Sequence, residues 1–331
     1  MNDYTKYNYL RIILFLMVLL FAASLFKNIS YPLFWADESM TVMGGVRVLE
    51  FGYPKVHDGK NVFYDLLHSN RRLGVDEKTD AYIGGANWGQ YYIAAIGAKL
   101  AEMSDDLFTK TGIIRATFAL IGLAGLVVLA FLGSKFFRTR LSKRGFLTLF
   151  VFFEFISVPL ALHLREARYY PLALFLTSLT IFVYARYRIL NNGSYPAYTV
   201  LSVLSLFLLF ATFSPAYFIF LASIFIFESA MLGGQLVSGC RGRSAPATFP
   251  ARKALFRDYL RNMLPAFISL IVVSPLLVFF KTFYIAGEMA QYNYRLFGTD
   301  ESGMFWANIE VIWKFFASSD FMYLAIILKI C

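Results

Sequence analysis

The chain predicts an all-α, polytopic membrane protein: one domain over residues 1–331 with about seven or eight transmembrane helices and a large first loop outside the cytoplasm. Three observations predict it. Of 331 residues, 58% are hydrophobic and only 16% charged, where a soluble domain carries about 25% charged residues. The apolar residues fall in long uninterrupted runs, not in amphipathic stripes. The basic residues gather in alternate connections between those runs.

The first span covers residues 10–29, long enough to cross a bilayer at about 1.5 Å per residue. It exceeds the h-region of a signal peptide, and no small-residue cleavage site follows, so it reads as a retained helix. The connection 30–111 comes next, with eleven acids against eight Lys or Arg. A loop of that length is functional or carries its own secondary structure. Two helices are expected in it, at 39–51 behind a capping cluster and at 88–103. The second puts Trp88, Tyr92, Ile96, Leu100 and Met103 on one stripe, suited to the headgroup plane. The stretch 52–85 between them reads as irregular.

Further spans are expected at 112–133, 146–162, 170–187, 197–213, 216–232 and 262–282, with an eighth apolar stretch from Trp306. Pro171 fits the first turn of its helix. Pro215 divides the apolar stretch 198–227 into two helices, and Pro159 and Pro275 should kink theirs. The chain stops at Ile-Leu-Lys-Ile-Cys without a polar tail, as a fragment of a longer protein would.

The net charge of +10 is concentrated in three connections. Lys135, Arg138, Arg140, Lys143 and Arg144 share one; Arg186 and Arg188 another; Arg241, Arg243, Arg252, Lys253, Arg257 and Arg261 a third. That is a positive-inside pattern with the N-terminus cytoplasmic, pointing to a plasma membrane and anionic lipid as the contact rather than nucleic acid. The only cysteines, Cys240 and Cys331, imply neither a disulfide framework nor a metal motif.

Two constellations carry chemistry. Asp37 and Glu38, in Trp35-Ala-Asp-Glu-Ser, follow the first span directly. They suit a helix N-terminus, where acids contribute about 0.3–1 kcal/mol. Capping needs only one acid, however, and Trp35 pins the segment at the interface. A carboxylate held there can take a proton from a hydroxyl that meets a lipid-borne substrate. The second constellation is His163-Leu-Arg165-Glu166-Ala-Arg168-Tyr169-Tyr170-Pro171, between spans three and four. On a helical turn Arg165 and Arg168 share a face, and two guanidiniums at headgroup level make a phosphate clamp, with Glu166 orienting one. Ordinary interfacial snorkelling is the plainer reading, but arginine is disfavoured on the outer face.

Asp-Glu after span one, Ile114-Arg115-Ala116 opening span two and Arg-Glu-Ala-Arg-Tyr-Tyr opening span four resemble the GT-C glycosyltransferases of the dolichyl-phosphate-mannose protein mannosyltransferase and aminoarabinose transferase type. The resemblance covers essentially the whole chain, although family members are usually longer. It implies a polyprenyl-phosphate sugar donor, a protein, lipid or glycan acceptor outside the cytoplasm, and transfer with inversion at a bacterial inner membrane. It implies Asp37 as base with Glu38 beside it, and Arg165, Arg168 and Tyr169 at the donor phosphate. Gly84-Gly85-Ala86-Asn87 stands where related enzymes often carry Lys-Pro or Pro-Pro, so no phosphate contact is carried over from that loop.

Weaker candidates remain. His57 and Asp58, with Asp65 and His68, would gather a divalent cation only loosely, since their spacing matches no standard site; no cofactor is otherwise implied. Glu154 lies mid-span, where an acid marks a functional site or a hydrogen bond between helices. A transporter or lipid flippase is the rival reading, since buried acids and broken helices mark substrate paths, as is a non-catalytic fragment of the family. Neither an inverted repeat nor a pair of broken spans is evident.

Overall fold

A computed structural model describes residues 3–60, 62, 74–84, 87–241 and 249–285. Ten helices and one small hairpin make up its regular structure: α1 (Asp3–Phe26), α2 (Ala36–Phe51), β1 (Val75–Asp76), β2 (Ala81–Tyr82), α3 (Gly89–Ala101), α4 (Leu107–Ser134), α5 (Arg140–Ile156), α6 (Val158–Arg165), α7 (Tyr169–Arg188), α8 (Tyr195–Thr212), α9 (Ser214–Arg241) and α10 (Phe249–Phe279). The protein is mostly helical and membrane-spanning.

Among the described residues five segments are long and apolar enough to cross a bilayer: Lys6–Phe26, Leu107–Ser134, Tyr195–Thr212, Ser214–Leu236 and Lys253–Phe279. The bent pair α5 and α6 makes a sixth if it counts as one span. The helix expected at 170–187 forms as α7 but is not among them. Tyr169, Tyr170 and Pro171 at one end and Tyr184, Arg186, Tyr187 and Arg188 at the other dilute its apolar centre. The stretch expected from Trp306 lies outside the described residues.

Proline acts mostly as expected. Helix α5 ends at Ile156 and α6 restarts at Val158 with Pro159 in its first turn, turning the axis by 75°. A proline at that point cannot donate to the preceding turn, so the helix breaks there where a kink was expected. Pro215 restarts the chain as α9 after Phe213. Helix α10, by contrast, runs through Pro265 and Pro275.

The connection 30–111 departs from an all-α reading. In the 52–85 stretch β1 and β2 pair antiparallel, Val75 opposite Tyr82 and Asp76 opposite Ala81. Asp76 accepts both the Thr79 hydroxyl at 2.6 Å and its amide at 3.0 Å, and Asp80 closes the turn with φ +57°. Those bonds hold the Asp76 carboxyl below the usual carboxylate range.

Helices α2 and α3 pack on the end of the bundle formed by the N-terminus of α4. A Cβ on Gly45 of α2 would lie 2.7 Å from the Ala94 backbone, and one on Gly97 of α3 would lie 3.2 Å from Ile114 Cα. Small residues therefore let three helices approach closely. The opposite face of α3 exposes Tyr92, Ile96 and Leu100, as an interfacial helix would; the helix ends at Ala101, so the exposed Met103 lies past it. Trp88 leaves that stripe and turns inward, its indole N–H donating to Tyr82 O at 2.6 Å and its rings edge-on to Phe279 and Phe280.

Helices α4 and α7 run parallel, since Gly122 faces Pro171, Gly125 faces Phe175 and Phe131 meets Phe182 in step. Their N-termini consequently share one end of the bundle, beside α2. Their C-termini, with Lys135 and Arg188, share the other.

Candidate functional site

Asp37 and Glu38 occupy the first turn of α2, yet neither caps it. The N-cap is Trp35, with no side-chain bond to the helix. Each acid faces a different arginine instead.

Glu38 is only 1% exposed. Its Oε1 accepts from Arg115 Nε at 2.9 Å and its Oε2 from Arg115 Nη2 at 2.6 Å, the two-point geometry that suits guanidinium to carboxylate. The Ala167 amide also donates to Oε1 at 3.0 Å. Arg115 Nη1 donates to the carbonyls of Ile29 at 3.0 Å and Pro32 at 2.6 Å. One buried pair thus joins the chain leaving α1, the start of α2, the first turns of α4 and the connection from α6 to α7.

Asp37 lies at the mouth of the same junction. Its Oδ2 is 2.9 Å from Arg168 Nη1, with side-chain exposures of 36% and 19%. The Arg168 guanidinium is ringed by Trp35, Tyr169 and Tyr170 at 5.1–5.3 Å. Tyr169 stacks on Phe213 at 4.4 Å and 13°, which brings the α8–α9 corner to the site. Asp37 and the arginine motif therefore meet at one partly exposed contact, 131 positions apart in sequence.

Arg165 and Arg168 do not share a face. Helix α6 ends at Arg165, Glu166 is extended (φ −71°, ψ 134°), and so is Arg168 (φ −137°, ψ −178°). The i, i+3 relation requires a helical turn, which the chain does not make here. Arg165 Nη2 accordingly donates to Asn28 O at 2.8 Å. Glu166 approaches neither arginine; its Oε2 lies 3.4 Å from His163 Nδ1.

The loop candidates for a cation are engaged locally. His57 Nδ1 accepts the Gly59 amide at 2.9 Å, and the Asp58 carboxylate accepts from the Arg47 guanidinium. Asp65 and His68 lie outside the described residues. Among the described residues no group of three or more His, Cys, Asp or Glu is placed to hold a metal ion. Glu154, half-buried on α5, has no hydrogen-bond or ion-pair partner among the described residues.

Sequence reasoning missed two buried partnerships. Arg115 carried weight only as part of a motif, although an arginine inside an apolar span needs an acid, and Glu38 supplies it. Glu228 was passed over in the run 216–232; it is 1% exposed and accepts from Tyr184 Oη at 2.5 Å, Arg188 Nε at 2.8 Å and Asn262 Nδ2 at 3.2 Å. The same rule would have found it.

Comparison with protein-family models, curated proteins and solved structures gives no match for this chain.

Proposed function

We propose that the protein is a membrane glycosyltransferase that moves a sugar from a polyprenyl-phosphate donor to a hydroxyl or amine of a protein, lipid or glycan outside the cytoplasm, with inversion. The observation that supports this reading most is the contact between Asp37 and Arg168. A solvent-reachable carboxylate and a guanidinium meet there beside aromatic rings, on a framework fixed by a buried pair.

In this reading the ion pair is the resting state of the site. The donor phosphate, an anion, competes with Asp37 for Arg168, and its binding releases the carboxylate. The acceptor oxygen or nitrogen then attacks the anomeric carbon while its proton passes to Asp37. The bond from that carbon to the phosphate oxygen breaks, and its electrons leave on the polyprenyl phosphate. Arg168 stabilises that growing charge more in the transition state than in the ground state. In-line displacement puts base and leaving group on opposite faces of the sugar, so the pair must part on donor binding.

Tyr169, held between Arg168 and Phe213, keeps the guanidinium in place. Arg165 reaches the phosphate only by leaving the Asn28 carbonyl. Glu38, with both oxygens occupied, is a positioning residue. Helix α7 acts as a further span, which brings the described residues to six spans, or seven with the bent pair α5 and α6. The basic ends of α4, α7 and α10 face the cytoplasm of a bacterial inner membrane. A divalent cation is not needed for these steps.

Purified Asp37→Asn, given defined polyprenyl-phosphate sugars, should lose at least about a hundredfold in transfer rate. Near-wild-type turnover would overturn the assignment. Lipid or sugar movement across vesicles without any transferred sugar would favour a transporter instead.

A further inference from the structure

At the end of the bundle away from Asp37, the C-terminus of α7, the start of α8 and the first turns of the α10 span enclose an open polar cavity of about 400 Å³. Its lining includes Arg188, Asn191, Tyr195, Asp258, Arg261 and Asn262. Beneath it, Glu228 holds Arg188 by Nε and Nη2 and Asn262 by its amide. Arg188 Nη1 is not among the atoms that bond Glu228.

The two charges at the rim are the informative ones. Asp258 and Arg261 stand three apart on α10, a spacing at which opposite charges commonly pair, yet they form no ion pair. The Arg261 guanidinium lies 4.3 Å from the centre of the Tyr195 ring, and the Tyr195 hydroxyl donates to the Arg261 carbonyl at 3.2 Å. Tyr187 stacks on Tyr198 at 4.3 Å and 9° beside it. Tyrosines belong at the headgroup level of a bilayer, and the uncharged apolar run of α10 begins just past Arg261 and Asn262. The cavity therefore offers cationic donors and a separate carboxylate at the depth of lipid headgroups.

We infer that this cavity binds the headgroup of a zwitterionic phospholipid bearing a primary ammonium, with the phosphodiester on Arg261 and Arg188 Nη1 and the ammonium on Asp258. A purely anionic headgroup would leave Asp258 facing like charge. A quaternary ammonium would fill the space but could not donate hydrogen bonds to the carboxylate. This site is separate from Asp37 and does not depend on the proposed transfer reaction.

The test is native mass spectrometry of the full chain in detergent with phosphatidylethanolamine, phosphatidylcholine or phosphatidylglycerol of matched acyl chains. The wild type should prefer phosphatidylethanolamine by up to about fivefold, the range of one solvent-exposed ion pair. Asp258→Asn should level the three lipids, Asp258→Glu should restore the order, and Arg261→Gln should weaken all three. Unchanged melting without added lipid shows that the variants fold. Equal binding of the three lipids by the wild type would overturn the inference, as would a preference that survives Asp258→Asn. Soluble phosphoethanolamine competing as well as the lipid would also overturn it, since the cavity would then serve a soluble ester.

Discussion

Glu38 and Asp37 are neighbours on one helical turn, and each holds an arginine, but they live in different solvents. Glu38 and Arg115 are sealed, with every oxygen of the acid and every nitrogen of the base engaged in protein hydrogen bonds. Asp37 and Arg168 touch at one point, and both remain reachable from solvent. The sealed pair cannot exchange partners without leaving a buried charge, which is why such pairs are costly to break. The open pair can exchange Asp37 for a phosphate at little cost, since exposed ion pairs contribute only about 0–1 kcal/mol. On the proposed reading, structure and chemistry are divided between adjacent residues: one fixes the backbone, and the other stays available.

That contrast gives the largest expected effect. Glu38→Gln leaves Arg115 charged, buried and half-satisfied, and should cost about 3–5 kcal/mol of stability. Thermal unfolding in detergent, followed by tryptophan fluorescence, checks it. A variant that melts with the wild type would remove the distinction between the two pairs.

A smaller loss tests how closely the platform under the site is packed. Gly45→Ala places a methyl group 2.7 Å from the Ala94 backbone, a clash that backbone must yield to, at about 1–3 kcal/mol. Gly52 ends the same helix with φ +80° and open space around it, so Gly52→Ala strains the backbone without a clash. If both variants melt alike, close approach of α2 and α3 is not what seats Asp37.

Asp37→Asn should change stability by no more than about 1 kcal/mol while removing the proposed transfer, the reverse of the expectation for Glu38→Gln. Melting and turnover measured on the same preparation separate the two. A large loss of stability would mean that the Asp37–Arg168 contact is structural as well.

How far these features could be read from sequence follows the same physics. The spans α1, α4, α8, α9 and α10 were legible because an uninterrupted apolar run has few other solutions. Helix α7 was legible as a helix but has polar ends, and the 75° turn after Ile156 depends on where Pro159 falls relative to the helix start. The hairpin at Val75 and Ala81 has two-residue strands, too short for alternation to register. At the site, the acid pair and the arginine motif each stood out locally. Their meeting was not derivable from spacing, because it depends on α4 and α7 running parallel and on the extended Glu166 that separates Arg165 from Arg168. The partnership of Glu38 with Arg115 was derivable, since an arginine eight residues into α4 demands a counter-charge.

The smallest expected effect concerns an acid with no arginine at all. Asp106 caps α4, the helix that carries Arg115, accepting the Thr109 hydroxyl and amide at 2.7 Å each. Those bonds hold its carboxyl below the usual carboxylate range. A carboxyl depressed in the folded state contributes stability that is complete above its unfolded value, about 3.9, and is lost as pH falls through the lower folded one. Asn caps a helix about as well as Asp but does not titrate. Asp106→Asn should therefore melt close to the wild type at neutral pH and flatten the decline in melting temperature below about pH 4. An unchanged acid limb would mean that the cap contributes through its hydrogen bonds alone, with no difference between folded and unfolded proton affinity.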